Sequence, residues 1–94
     1  MLMERNITIS GIRGSIKAVV DSRLENDVTE MTDENLANLT LGVDLGMDSL
    51  DIVELSMLIE REFKISFSED IIGKWVKNRN ELTIADIVKY CNEN

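Results

Sequence analysis

Apolar positions in this chain recur mostly at helical spacing. Ile12, Ile16, Val19 and Val20 lie at offsets of four, seven and eight, a stripe that predicts a first helix from about Ser10 to Arg23. Gly11 and Gly14 lower helix propensity at its start. A second helix is predicted from Ser49 to Phe63. A shorter one opens at Ser68 in "SEDIIGKWV", with Ile71, Ile72 and Trp75 facing inward and Gly73 weakening it. The last opens at Thr83, with Asp86 three residues on as a capping-box-like pair, and buries Ile84, Ile87, Val88 and Cys91.

Between the first two helices runs a long connection, Leu24 to Asp48. Connections of this length are uncommon in small domains unless functional or pinned down. Leu36, Leu39, Leu41 and Leu45 are placed to pin it, and "TDENLAN" suits a short helical turn capped by Thr32. "VKNRNEL" is polar and basic and is expected to be a loop. Three longer helices and one short one, with a long loop between the first two, predict an all-α fold: a small four-helix bundle in a single domain spanning residues 1–94.

The helix from Ser49 to Phe63 has two apolar sides. At roughly 100° per residue, Ile52, Leu55, Ile59 and Phe63 fall within about 80° of one another, a core stripe. Leu50, Val53 and Met57 fall within about 60° on nearly the opposite side. Glu54 and Arg61 share that second side, with Glu60 on its flank. Scattered surface apolar residues are ordinary, and another helix covering this side would also account for them. A short domain with about four helices can hardly bury one helix all round, however. An exposed Leu-Val-Met ridge rimmed by carboxylates suits a docking surface.

Composition narrows the chemistry. With 44% hydrophobic and 30% charged residues the chain can fold, and the absence of proline and scarcity of aromatics favour helices over tight-turned sheets. A net charge of −8 argues against nucleic acid and anionic membrane and toward partners with basic surfaces. There is no histidine, so nucleophilic catalysis of the Ser-His or Cys-His kind lacks its base, and no catalytic residue is assigned. A single cysteine, Cys91, excludes an internal disulfide, and no zinc-type ligand cluster exists, so no metal is expected. The opening "MLMERNITIS" carries no long apolar run, so no secretory signal or membrane span is expected, and a cytoplasmic location is.

Ser49 stands at the head of the exposed ridge. A serine there is most often an ordinary helix cap, but Asp48 competes for that role, with Asp51 three residues beyond. If Asp48 caps, the Ser49 hydroxyl is left at a helix N-terminus, a setting that favours an attached anion such as phosphate.

The stretch "DLGMDSLDIVEL", Asp44 to Leu55, resembles the acyl carrier protein family, whose pattern is D-L-G-x-D-S-L-D-x-V-E-L. Weaker agreement runs through "EREF" and resumes at "LTIADIVKY". The resemblance implies an acyl-carrier-like domain that is not itself an enzyme. Ser49 would be the attachment point for 4′-phosphopantetheine, transferred from coenzyme A by a phosphopantetheinyl transferase. The arm's thiol would carry acyl intermediates as thioesters to enzymes of fatty-acid, polyketide or specialised lipid biosynthesis.

The resemblance also implies partner roles. Asp48 and Asp51 would help the transferase engage the site. Leu50, Val53, Glu54 and Met57 match the helix surface read by basic patches on acyl-transferring and condensing enzymes. Ile52, Leu55, Ile59 and Phe63 are candidates both for lining an acyl-chain space and for plain core packing. A monomer is expected.

Three features depart from the family. Arg61 puts a cation where members commonly carry an acid, the region from Gly73 to Leu82 is longer than usual, and "ENLANLTLGVD" replaces a common acidic run. These give a specialised pathway weight comparable to housekeeping fatty-acid synthesis. The alternative reading is an unmodified helical protein-interaction module, with Ser49 a cap and the ridge a docking patch. A calcium sensor is disfavoured, since no twelve-residue loop carries the required ligands.

Overall fold

The computed structural model describes residues 6–20 and 28–93. The element order is α1 (Ile9–Val20), a 3-10 turn (Val28–Glu30), α2 (Asp33–Ala37), α3 (Ser49–Phe63), α4 (Glu69–Lys77) and α5 (Ile84–Glu93). Four helices of nine or more residues form the bundle, and the five-residue α2 lies within the long connection. The described residues hold no strand, and an isolated antiparallel bridge joins Thr40 to Thr83.

Local capping chemistry sets most helix starts. Thr32 Oγ1 accepts from the Asn35 N–H at 3.1 Å, so the expected helical turn forms with the expected cap. Ser68 Oγ accepts from the Ile71 N–H at 3.2 Å and opens α4. Thr83 and Asp86 exchange side-chain-to-backbone bonds at 3.0 and 3.2 Å, a reciprocal pair that satisfies two donors otherwise orphaned at the start of α5. The boundaries of α3 are the expected ones, and α1 begins at Ile9, one residue early. Its expected end at Arg23 lies outside the described residues. The polar segment after Trp75 begins later than expected, since Val76 and Lys77 complete the last turn of α4.

The core is apolar and drawn from every helix and from the connection. Ile12, Ile16, Ile52, Leu55, Ile59, Ile84 and Ile87 are fully buried, as are Leu36, Leu41 and Leu45 from the long connection. Each such side chain contributes about 1.5–3 kcal/mol relative to exposure. Leu39 is half-buried against the same core, as are Phe63, Ile71, Ile72 and Val88, each expected to be fully inside. Cys91 is buried as expected. Trp75 joins α4 to α5 through an edge-to-face contact with Tyr90 at 5.9 Å between ring centroids, and a second such contact, at 4.9 Å, ties it to Phe67 in the segment before α4. α1 packs on α3 and α5, α3 on α4, and α2 against α1 and α5.

One charged residue organises the connection. Arg13 on α1 donates to the Val28 and Met31 carbonyls at 2.6 Å each and pairs with Asp33. Ser10 Oγ donates to the same carboxylate at 2.9 Å. The Ser10 hydrogen bond, with Arg13 next, holds the Asp33 carboxyl below the usual carboxylate value.

Candidate functional site

Most residues of Asp44–Asp51 have a discernible local task. Asp44 closes a ring with Thr40: its Oδ2 accepts from the Thr40 N–H at 2.8 Å and hydroxyl at 3.1 Å, while the Thr40 Oγ1 accepts the Asp44 N–H at 3.0 Å. Leu45 is fully buried and anchors the turn. Gly46 has φ +67°, a left-handed conformation that side chains with a Cβ adopt only under strain. Met47 is buried, and its N–H donates to the Leu41 carbonyl at 2.9 Å. Asp48 then turns the chain into α3.

Asp48 is the N-cap. Its Oδ1 accepts from the Asp51 N–H at 2.9 Å, and Asp51 Oδ2 accepts from the Asp48 N–H at 3.1 Å, a full capping box. The competition for the cap is thereby decided against Ser49. Ser49 is the first helical residue and is exposed, and its hydroxyl has no hydrogen-bond partner among the described residues. The helix dipole favours an anion attached here by about 0.3–1 kcal/mol, a modest bonus beside two capping carboxylates. Accessibility of the oxygen matters more.

The other described serines differ in their settings. Ser56 is fully buried and spends its hydroxyl on the Val53 carbonyl at 2.6 Å. Ser10 is bound to Asp33 and Ser68 caps α4. Ser15 is half-buried, and Ser66 is exposed but lies in the segment between α3 and α4, before the Ser68 cap and outside any helix.

The loop that delivers Ser49 is tied to the turn between α4 and α5. Leu41 N–H donates to the Leu82 carbonyl at 2.9 Å, Gly42 N–H to the Arg79 carbonyl at 2.8 Å, and Ile84 N–H to the Leu39 carbonyl at 3.0 Å. The approach is close: a Cβ on Gly42 would fall 2.1 Å from Asn80 Oδ1. The long Gly73–Leu82 region thus ends as a buttress for the loop before the serine. Sequence reasoning gave it no role, and backbone-to-backbone ties leave no residue pattern to find.

The second apolar side of α3 is open. Leu50 is 77% exposed, Met57 60% and Val53 39%. With Glu54 and Arg61 they line one groove of about 960 Å³, to which Leu58 and Glu60 of the same helix and Ile65 and Ser66 of the following segment also contribute. Five of the seven expected partner residues therefore share a single surface, while Asp48 and Asp51 sit at the start of the helix outside that lining. Sequence reasoning missed Leu58 and Ile65 in this groove and the exposed Val43, at 70%, in the loop before Ser49. Nothing in the sequence separates Val43 from Leu41 and Leu45, since all three fall at alternate positions of an apolar run. Glu60 has a structural task, since its Oε2 accepts from the Phe67 N–H at 2.7 Å and holds the segment after α3. Among the described residues there is no candidate metal cluster and no helix long and apolar enough to cross a membrane.

Known proteins resemble the chain over most of its length. The family model described as the phosphopantetheine attachment site matches residues 16–91. The chain is 35% identical to an acyl carrier protein of Helicobacter pylori strain J99 over 79 residues, covering 84% of this chain and 88% of that protein. It is 35% identical over the same coverage to an acyl carrier protein of Helicobacter acinonychis strain Sheeba, and 34% to that of Helicobacter pylori strain G27. No solved structure matches the chain. The chain belongs to the acyl carrier protein family, and its cofactor is covalently bound 4′-phosphopantetheine.

Proposed function

We propose that Ser49 is the attachment point of 4′-phosphopantetheine and that the chain carries acyl intermediates to enzymes of fatty-acid, polyketide or specialised lipid biosynthesis. The observation that carries the reading is the Asp48–Asp51 capping box, which leaves the Ser49 oxygen exposed and uncommitted. The chain's own contribution is placement. Buried Leu45 and Met47, the turn at Gly46 and the ties to Leu82 and Arg79 hold the serine at the end of a rigid helix. A phosphopantetheinyl transferase supplies the arm from coenzyme A. Ser49 Oγ bonds to the phosphorus that bears the pantetheine, the phosphoanhydride bond from that phosphorus to the nucleotide breaks, adenosine 3′,5′-bisphosphate leaves, and the hydroxyl proton goes to a base of the transferase. The attached arm supplies a terminal thiol on which an acyl group is held as a thioester.

The groove beside α3 is the surface on which acyl-transferring and condensing enzymes dock, through Leu50, Val53 and Met57 and the charges of Glu54 and Arg61. Asp48 and Asp51 present the serine to the transferase. The cytoplasm is the proposed setting and the monomer the proposed state. Intact mass after incubation with coenzyme A and a broad-specificity transferase tests the central step. The parent chain gains one arm, and Ser49→Ala gains none while keeping its helical circular dichroism. Modification that persists in Ser49→Ala overturns the site. A parent chain that gains no mass leaves an unmodified interaction module instead.

A further inference from the structure

Three charged side chains, Glu54, Glu60 and Arg61, line the α3 groove. Neither Glu54 nor Arg61 makes an ion pair with any described residue. The helix offers them none. Around Arg61 the positions three and four residues away are Met57, Leu58, Lys64 and Ile65, and around Glu54 they are Leu50, Asp51, Met57 and Leu58. Facing pairs on a helix form at just those offsets, so neither charge can be neutralised from its own helix. Of the two acids beside Arg61 in the chain, Glu60 commits one carboxylate oxygen to the Phe67 N–H, and Glu62 lines a separate cleft with Gly11, Gly14 and Ser15. Glu54 and Arg61 lie on one side of α3, seven residues apart, which at 1.5 Å per residue is about 10 Å along its axis.

Resting on the docking reading above, we infer that the groove takes a protein surface of mixed charge. That surface is an apolar ridge flanked by a cation opposite Glu54, at the Ser49 end, and an anion about 10 Å away opposite Arg61. A uniformly basic patch would satisfy Glu54 and press a second cation against Arg61. Arg61 thus acts as a specificity residue through repulsion as much as attraction, and it fixes the direction in which the partner lies along α3. Arg61 also sits in the last turn of α3, where a cation suits the helix dipole. The deciding readout is therefore charge preference in binding and not stability.

The test uses two labelled amphipathic helical peptides with the same leucine ridge. One carries Lys and Glu seven positions apart, and the other carries Lys at both positions. Binding to the full chain is read by fluorescence anisotropy at low salt. The parent is expected to favour the Lys/Glu peptide by about three- to ten-fold, the scale of one exposed pair made attractive or repulsive. Arg61→Glu should reverse the order, Arg61→Gln should level it, and added salt should shrink it. Indifference of the parent, or preference for the two-lysine peptide, overturns the mixed-charge inference while leaving the groove as a docking face. Absence of binding by either peptide overturns both.

Discussion

The two long sides of α3 are made from the same kinds of residue and have opposite surroundings. Ile52, Leu55 and Ile59 are sealed at 0% exposure, with α1 and α4 packed on the helix. Leu50, Val53 and Met57, only a part-turn away, meet solvent and the segment containing Ile65 and Ser66. Hydrophobicity therefore does not decide burial; the number of available neighbours does. A bundle of this size can cover one side of its longest helix, and the uncovered side is where selection can act on recognition without first disturbing packing.

Truncation on the sealed side should have the largest effect on stability. Leu55→Ala removes a fully buried side chain and is expected to cost about 2–5 kcal/mol, read as a lower denaturation midpoint in urea. A loss below that range would mean that the core beside α3 collapses around the gap. Between the two sides stands the turn that aims the serine. Gly46→Ala should cost about 1 kcal/mol, purely through backbone strain, because the space around its absent Cβ is empty. Gly46→Asn should cost less, since asparagine tolerates the left-handed region. Equal losses for both would point to packing instead.

On the open side, Met57→Ser should change stability by no more than about 0.5 kcal/mol in the same titration. It should nevertheless slow modification by the transferase, and that slowing should fade at high salt only for charge variants such as Glu54→Lys. A Met57→Ser chain that unfolds readily would erase the contrast between the two sides.

The smallest effect is confined to acid. The Asp33 carboxyl titrates below its ordinary value near 3.8, so the folded state binds fewer protons than the unfolded chain across that interval. Its contribution is complete above the ordinary value and disappears as pH falls through the lower folded-state value. Asp33→Asn should flatten that part of the stability–pH curve and leave neutral pH nearly unchanged in slope. An identical acid limb in both proteins would remove the assigned role.

Much of the fold was legible because its signals are local. Thr32, Ser68 and the Thr83–Asp86 pair announce helix starts within three residues, and the 3.6-residue stripe of Ile52, Leu55 and Ile59 announces the sealed side. Ser49 was legible as a candidate, yet only the geometry decided that Asp48 takes the cap. What escaped notice joins residues far apart. Leu41 to Leu82 and Gly42 to Arg79 are backbone bonds that any side chains can make. Nothing in the residues beside Arg13 points to its two carbonyl partners, which lie fifteen and eighteen residues on. Glu60 likewise looked like the rim of a docking face before Phe67 claimed its carboxylate.

The central claim is that an exposed Ser49, released from capping by Asp48, is where the prosthetic arm attaches. Fragmentation of the transferase-treated chain by tandem mass spectrometry locates the added mass directly. The expected result is a single modified residue, Ser49, with Ser10, Ser15, Ser22, Ser56, Ser66 and Ser68 unchanged. Added mass on any of those serines, or spread among several of them, would contradict it.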